Sequence, residues 1–107
     1  MAAFTLTHTQ RKDDVAILQT LEPTEVSIGQ SITVTGNAAF NGTYVVYAVP
    51  QYLFIGVDEY GDYLFDYDVI ILNQLLVNQI GTDSERQAAT GTVTHTQTCT
   101  WITNQNV

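Results

Sequence analysis

Carboxylates are the most numerous chemically active groups in this 107-residue sequence, which carries eleven Asp and Glu. Five of them, Asp58, Glu59, Asp62, Asp66 and Asp68, crowd one short stretch. Oxygen-rich loops are what calcium needs, since it gathers about six to eight oxygen ligands. The spacing does not follow an EF-hand loop, and strand alternation sends Asp66 and Asp68 to one face as ordinary surface residues. The residues therefore favour an acidic hairpin facing solvent or a partner over a calcium site. A paired-carboxylate hydrolase would need a cleft as well as acids, and a domain of this size has little surface from which to build one.

Imidazole and thiol chemistry is as sparse. The tetrapeptide Thr7-His8-Thr9-Gln10 recurs as Thr94-His95-Thr96-Gln97, so pairing of the first and last strands could bring His8 and His95 together. Two imidazoles do not complete a zinc site, and Cys99 shares a face with His95 only if that strand is unbroken. Cys99 is the one cysteine, which excludes an internal disulfide framework or a CxxC knuckle. With no basic cluster to lower its pKa, it reads as a small buried or half-buried thiol. Ser27, Ser31 and Ser84 lie in no nucleophile-elbow context. The reading predicts no enzyme, no cofactor and no metal.

The elements that position these residues read as strands throughout. Residues 31–35 and 43–49 are rich in Val, Ile, Thr and Tyr, which suit a pleated half-buried surface. Gly29 marks a turn before the first of them and Asn41-Gly42 a turn before the second. Residues 4–10 alternate apolar and polar, Arg11-Lys12-Asp13-Asp14 is a charged turn, and 15–20 complete an opening hairpin. Glu22-Pro23-Thr24 breaks it. Residues 52–57 and 62–72 read as hairpin arms closed at Tyr60-Gly61, with Phe54 opposite Tyr67 and Gly56 opposite Phe65 on the core side. Residues 69–80 could be a buried strand or a short amphipathic helix; Val69, Ile70 and Ile71 favour strand, with a break near Asn73. Apolar residues on both faces there predict a cover from outside the domain, which makes Leu75 and Leu76 candidate interface residues. Residues 81–89 read as a polar loop with one helical turn, and 91–100 as a closing strand. Adjacent first and last strands would close the sheet. The expected fold is a single all-β domain over residues 1–100, a small antiparallel barrel or sandwich, with 101–107 as an extension.

Charge limits the partners. Three Lys and Arg against eleven acids give a formal net charge of -8, and the span from Asp13 to Glu85 contains every acid and no cation. Such a surface repels nucleic acid. No apolar run approaches bilayer length, and the Met-Ala-Ala-Phe start lacks a signal-peptide pattern, so no membrane association and synthesis without export are expected. Six tyrosines crowd the middle of the chain. Tyr60, Tyr63 and Trp101 are candidate interface anchors, since aromatic rings dominate such contacts.

The stretch Val26-Ser-Ile-Gly-Gln-Ser-Ile-Thr-Val-Thr-Gly36, followed by Phe40-Asn-Gly-Thr-Tyr44 and Val46 to Val49, resembles a small β-module of tailed-bacteriophage structural proteins. The closing segment, with Trp101, Thr103 and Val107, resembles the lead into the helical domain of actinobacteriophage head-to-tail connector (adaptor) proteins. The resemblance implies a non-enzymatic virion part, a connector subunit in a ring at the portal-tail junction. Its implied partners are portal, connector, tail or capsid subunits and further copies of itself. A capsid decoration or minor tail protein is the neighbouring reading, and a stand-alone glycan- or calcium-binding β-module the reading of another class. In the connector family helices follow this segment, whereas the present sequence stops at Val107. It is thus expected to be either the N-terminal β-domain of a connector or a shorter virion component carrying the module alone.

Overall fold

A computed structural model describes residues 2–95. Its strands are β1 (Ala2–Lys12), β2 (Val15–Thr20), β3 (Ser31–Thr35), β4 (Gly42–Ala48), β5 (Tyr52–Val57), β6 (Tyr63–Ile70), β7 (Gln74–Asn78), β8 (Ser84–Ala88) and β9 (Thr92–His95). No helix occurs among the described residues. Every pairing is antiparallel. The order β2-β7-β4-β3-β9-β1, together with the β1–β2 pairing, closes six strands into a barrel, and β8 adds to β1 as an extra strand. Closure removes the sheet edges that would otherwise invite uncontrolled pairing.

The long first strand makes this possible by serving three neighbours. Its start, Ala2 to Thr5, pairs with β9, while Leu6 to Lys12 pairs with β2 and His8 to Arg11 with β8. Register shifts between Leu6 and His8 and between Thr9 and Arg11 mark where the strand bends from one partner to the next. The first and last described strands therefore lie side by side, as the repeated tetrapeptide suggested.

Alternation then builds two cores on the two sides of one wall. Ala16 and Leu18 of β2 and Leu75 and Val77 of β7 point inward, where Leu6, Ile32, Val34, Phe40, Val46 and Val93 fill the barrel. Val15 and Ile17 of β2 and Leu76 of β7 point outward. Phe54 of β5, 1% exposed, covers that outer patch, with Tyr63, Phe65, Val57 and Ala48 around it. The β5–β6 hairpin, inserted between the paired strands β4 and β7, is thus a second layer laid over the barrel wall.

This arrangement corrects the expectation that something outside the domain covers the apolar stretch 69–80. Asn73, at a φ of 61°, breaks the stretch into the end of β6 and all of β7, and the chain's own hairpin covers the second face of β7. Leu75 and Leu76 are both fully buried, one in each core, and are inaccessible as interface residues. Gln74, 3% exposed, clasps the base of the hairpin. Its Nε2 donates to Ile71 O (2.9 Å), Tyr52 O (3.0 Å) and Pro50 O (3.3 Å).

Other local expectations shift by small amounts with definite causes. The reversal before β4 is made by residues 36–41, not by Asn41-Gly42: Gly42 already pairs with Val34. Asn41 instead uses its Oδ1 to accept from Asn37 N (2.9 Å), and its own N–H donates to Asn37 O (2.8 Å). In the β5–β6 hairpin Phe54 faces Phe65 and Gly56 faces Leu64, with a shift between Phe54 and Gly56. Asp58 widens the turn by accepting from Tyr60 N (2.8 Å) and Asp62 N (2.9 Å) through Oδ1, which moves the register away from that of a two-residue loop. Residues 84–88, expected in a polar loop, form β8. A strand exposed along its length shows no apolar alternation, and only its pairing with β1 defines it.

Candidate functional site

The proposed chemical groups do not converge. Ala2, not His8, is the β1 partner of His95, and His8 stands opposite Gln19 and Ala88. Six residues of strand separate the two positions, roughly 20 Å at the usual rise. The two-imidazole site is therefore absent. His8 Nδ1 contacts Thr7 Oγ1 at 3.0 Å, and its pKa is lowered first by burial and then by the charge of Arg86. His95 is 9% exposed and its Nε2 has no partner among the described residues. Cys99 and Trp101 lie outside the described residues.

Two of the five clustered acids shape backbone. Asp58 caps its own turn as above, and Asp66 Oδ1 accepts from Asp68 N at 3.0 Å. Asp13 belongs to the neighbouring β1–β2 turn and reaches across the layers, where its Oδ2 accepts from Val57 N at 3.0 Å. Asp13 and Asp14 hold φ values of 54° and 62°, the left-handed pair that a tight hairpin turn requires. No three His, Cys, Asp or Glu side chains gather to hold a metal ion among the described residues.

Two surfaces remain with features that solvent alone does not explain. The first is the outside of the hairpin and its base, where Ile55, Leu64, Ile70 and Leu72 are exposed, Ile70 at 69%; Tyr67, also exposed, packs its ring against Tyr52 and Phe65 instead. Leu21 is exposed as well, and its carbonyl oxygen accepts from Asn73 Nδ2 at 3.4 Å near the base of the hairpin. Several large apolar side chains exposed on one hairpin and its base are a feature of interaction surfaces. Tyr60 stands at the hairpin turn, 82% exposed. Tyr63 does not: its ring packs edge-on against Phe54 with centroids 6.5 Å apart, so it is half core, half surface.

The second surface is a groove of about 520 Å³ between β5 and β8, floored by β1. Lys12 and Arg86 line it together with Asp83 and Glu85, while Arg11, which borders it along β1, turns its guanidinium to the other face of the strand. Arg11 is fixed outside the groove. Its Nε donates to Thr82 O (2.8 Å), its Nη1 to Gln79 Oε1 (2.6 Å), and its guanidinium stands 5.1 Å from the centroid of the Phe40 ring. Gly81 leaves room for this packing, since a Cβ there would fall 2.7 Å from Arg11 Cζ. Lys12 pairs weakly with Asp83 at 3.6 Å, and Arg86 donates to Gln19 Oε1. Sequence reasoning missed this groove because Arg86 lies far along the chain from Arg11. The available signal was that the cations bracket the acidic span, so any pairing of the two brackets gathers them.

Comparison with protein-family models, with curated proteins and with solved structures finds no match to this chain.

Proposed function

We propose that the protein is a non-enzymatic structural subunit of a tailed-bacteriophage particle, a head-to-tail connector subunit that assembles with its neighbours through the β5–β6 hairpin. The observation that carries the reading is the exposed apolar face of a hairpin laid over a closed barrel, with Ile55, Leu64, Ile70 and Leu72 turned away from the domain. A closed barrel offers few edges for pairing, so side-chain surface must do the docking. The net charge of -8 supports the same reading, because an acidic ring subunit lets packaged DNA pass without adhering. Its partners on this reading are portal, connector, tail or capsid subunits, its place is the head-tail junction of the virion, and synthesis is in the host cytoplasm.

The test is fractionation. Virions separated by gradient sedimentation, then split into heads and tails, should yield peptides of this chain at the junction in a small fixed number per particle. Many copies per head would make it a capsid decoration protein, and absence from particles would overturn the reading. The variants Ile70→Lys and Leu64→Lys, both at exposed positions, should fold normally yet fail to incorporate.

A further inference from the structure

The β5–β6 hairpin is the outer end of a longer ribbon folded back once. Ala48 of β4 pairs with Leu76 of β7, Ile71 N donates to Gln51 O at 3.0 Å, and Tyr52 of β5 pairs with Ile70 of β6, so the two strands run side by side from barrel to hairpin. The ladder breaks at a crease, Val49-Pro50 on one strand and Leu72-Asn73 on the other. Asn73 takes its φ of 61° there while its carbonyl oxygen accepts from Thr20 N at 2.9 Å. Rotation about the N–Cα bond of Asn73 thus swings the hairpin and leaves β7 in the barrel.

The fold-back is fastened by side chains. The hairpin is a two-stranded sheet of its own, with no barrel strand paired to it among the described residues. The Gln10 amide donates to Phe54 O, the Asp13 carboxylate accepts from Val57 N, and the Gln74 amide holds the crease. Both amides are incompletely satisfied: Gln10 Oε1 and Gln74 Oε1 are buried without a partner among the described residues, which is costly. A left-handed residue other than glycine adds a backbone penalty at the crease itself.

We propose that copies of this chain exchange the hairpin: the ribbon straightens at the crease, and Phe54, with Tyr63 and Phe65, packs on Val15, Ile17 and Leu76 of a second copy. The inference rests on the proposed function and deepens it, since assembly through the hairpin is the contact that reading requires. A second copy is the occupant because the patch on β2 and β7 is the same in every copy and this underside is the surface that fits it. The exchanged hairpin remakes the apolar packing and the bonds of Gln10 and Asp13, so the closed and exchanged forms differ at the crease alone. Leu76 stays buried throughout, because another copy's hairpin replaces its own. Straightening releases Asn73 from the left-handed region and lets the crease residues join the ladder, which offsets the entropy lost on association. Passed from each copy to the next, the exchange closes a ring.

Sedimentation equilibrium of the full chain, refolded over a wide concentration range, tests this together with isotope-filtered NMR. Wild type should associate. In oligomers refolded from a mixture of isotope-labelled and unlabelled chains, the Phe54 ring of one chain should show NOEs to the Ile17 methyl groups of another. Asn73→Val makes left-handed backbone costlier and should tighten association about tenfold. Asn73→Gly removes that penalty from the closed form and should weaken association. Thermal melting of each variant checks that it is folded. A wild-type chain that stays monomeric, Phe54–Ile17 NOEs confined to single chains, or Asn73→Val and Asn73→Gly chains that associate alike would each overturn the exchange. A monomeric chain that still fractionates with virions would overturn the exchange alone, and a chain that exchanges its hairpin yet is absent from particles would overturn the virion role alone.

Discussion

Phe54→Ala should detach the hairpin layer while leaving the barrel closed. Phe54 is 1% exposed and is the only β5 or β6 residue fully buried among Val15, Ile17 and Leu76. Its ring also meets Phe65 at 5.8 Å and Tyr63 at 6.5 Å between centroids. Truncating a buried Phe to Ala costs about 3–5 kcal/mol, and the outer patch can collapse only partly because Leu76 and Ile17 belong to barrel strands. A loss of about 3 kcal/mol is therefore expected, against a total stability of about 5–15 kcal/mol for a domain of this kind. At about 4 °C per kcal/mol the melting temperature should fall by roughly 12 °C. Amide exchange resolves where the loss falls: protection in β6 should drop by about two orders of magnitude while β3 and β9, on the far side of the barrel, change much less. The neighbouring Ile55→Ala is the control, since Ile55 is 47% exposed on the other face and should cost under about 1 kcal/mol. Equal costs at the two positions, or uniform loss of protection across all strands, would refute the layered account.

Further outcomes follow from single contacts. Gly91→Ala should destabilise severely, because Gly91 has a φ of 140° and a Cβ there would lie 2.8 Å from Thr35 O, whereas Gly29→Ala, with open space at a φ of 94°, should cost only about 1 kcal/mol in a urea titration. Gln74→Leu removes the amide that joins Pro50, Tyr52 and Ile71 and should cost about 1–3 kcal/mol, with faster exchange first at the hairpin base. His8 has a folded pKa below its ordinary 6.5, so the unfolded chain binds the proton more readily. Its contribution is therefore complete above about pH 6.5 and is lost as pH falls through that value toward the folded pKa. Melting curves from pH 7.5 to 5 should show a steeper decline for wild type than for His8→Asn, and Arg86→Gln should remove the smaller, charge-derived part of that difference.

The all-β class and most strands were legible because the inward residues of β3 and β9 alternate with polar ones, and β-branched side chains fill the runs. The break at Asn73 was legible for the same reason, a polar residue interrupting an apolar run. The destination of Leu76 was not. Alternation says that Leu75 and Leu76 point to opposite sides, but it cannot say whether the second side meets another molecule or a hairpin from the same chain. β8 was invisible because Ser84-Glu-Arg-Gln-Ala88 buries no side chain; its existence is a property of the free edge of β1. The hairpin register failed on one side chain, since Asp58 accepting two N–H groups makes a wider turn than any glycine pattern implies.

That unseen strand is also what makes the charge distribution intelligible. Along the sequence, cations occur only at 11, 12 and 86, outside the acidic span, and nothing local relates the two ends. The β1–β8 register, with Arg11 opposite Ser84 and Thr9 opposite Gln87, brings Arg86 into the groove that Lys12 also lines, while alternation turns the guanidinium of Arg11 toward Phe40. The hairpin then supplies the facing wall through Leu53 and Ile55, and Gln10 joins wall to floor through Phe54 O. A slip of one residue in β8 would turn Arg86 to the opposite face of the strand. The groove is thus a consequence of register and layering together, so variants that free the hairpin or shift β8 should lose it even when every cation is retained. Phe54→Ala tests this independently of charge: with Lys12 and Arg86 in place, the side-chain amide of Gln10, which donates to the carbonyl of residue 54, should exchange faster along with the hairpin's backbone amides. A Gln10 amide that stays protected in a chain whose hairpin has come loose would mean that the groove does not depend on the second layer.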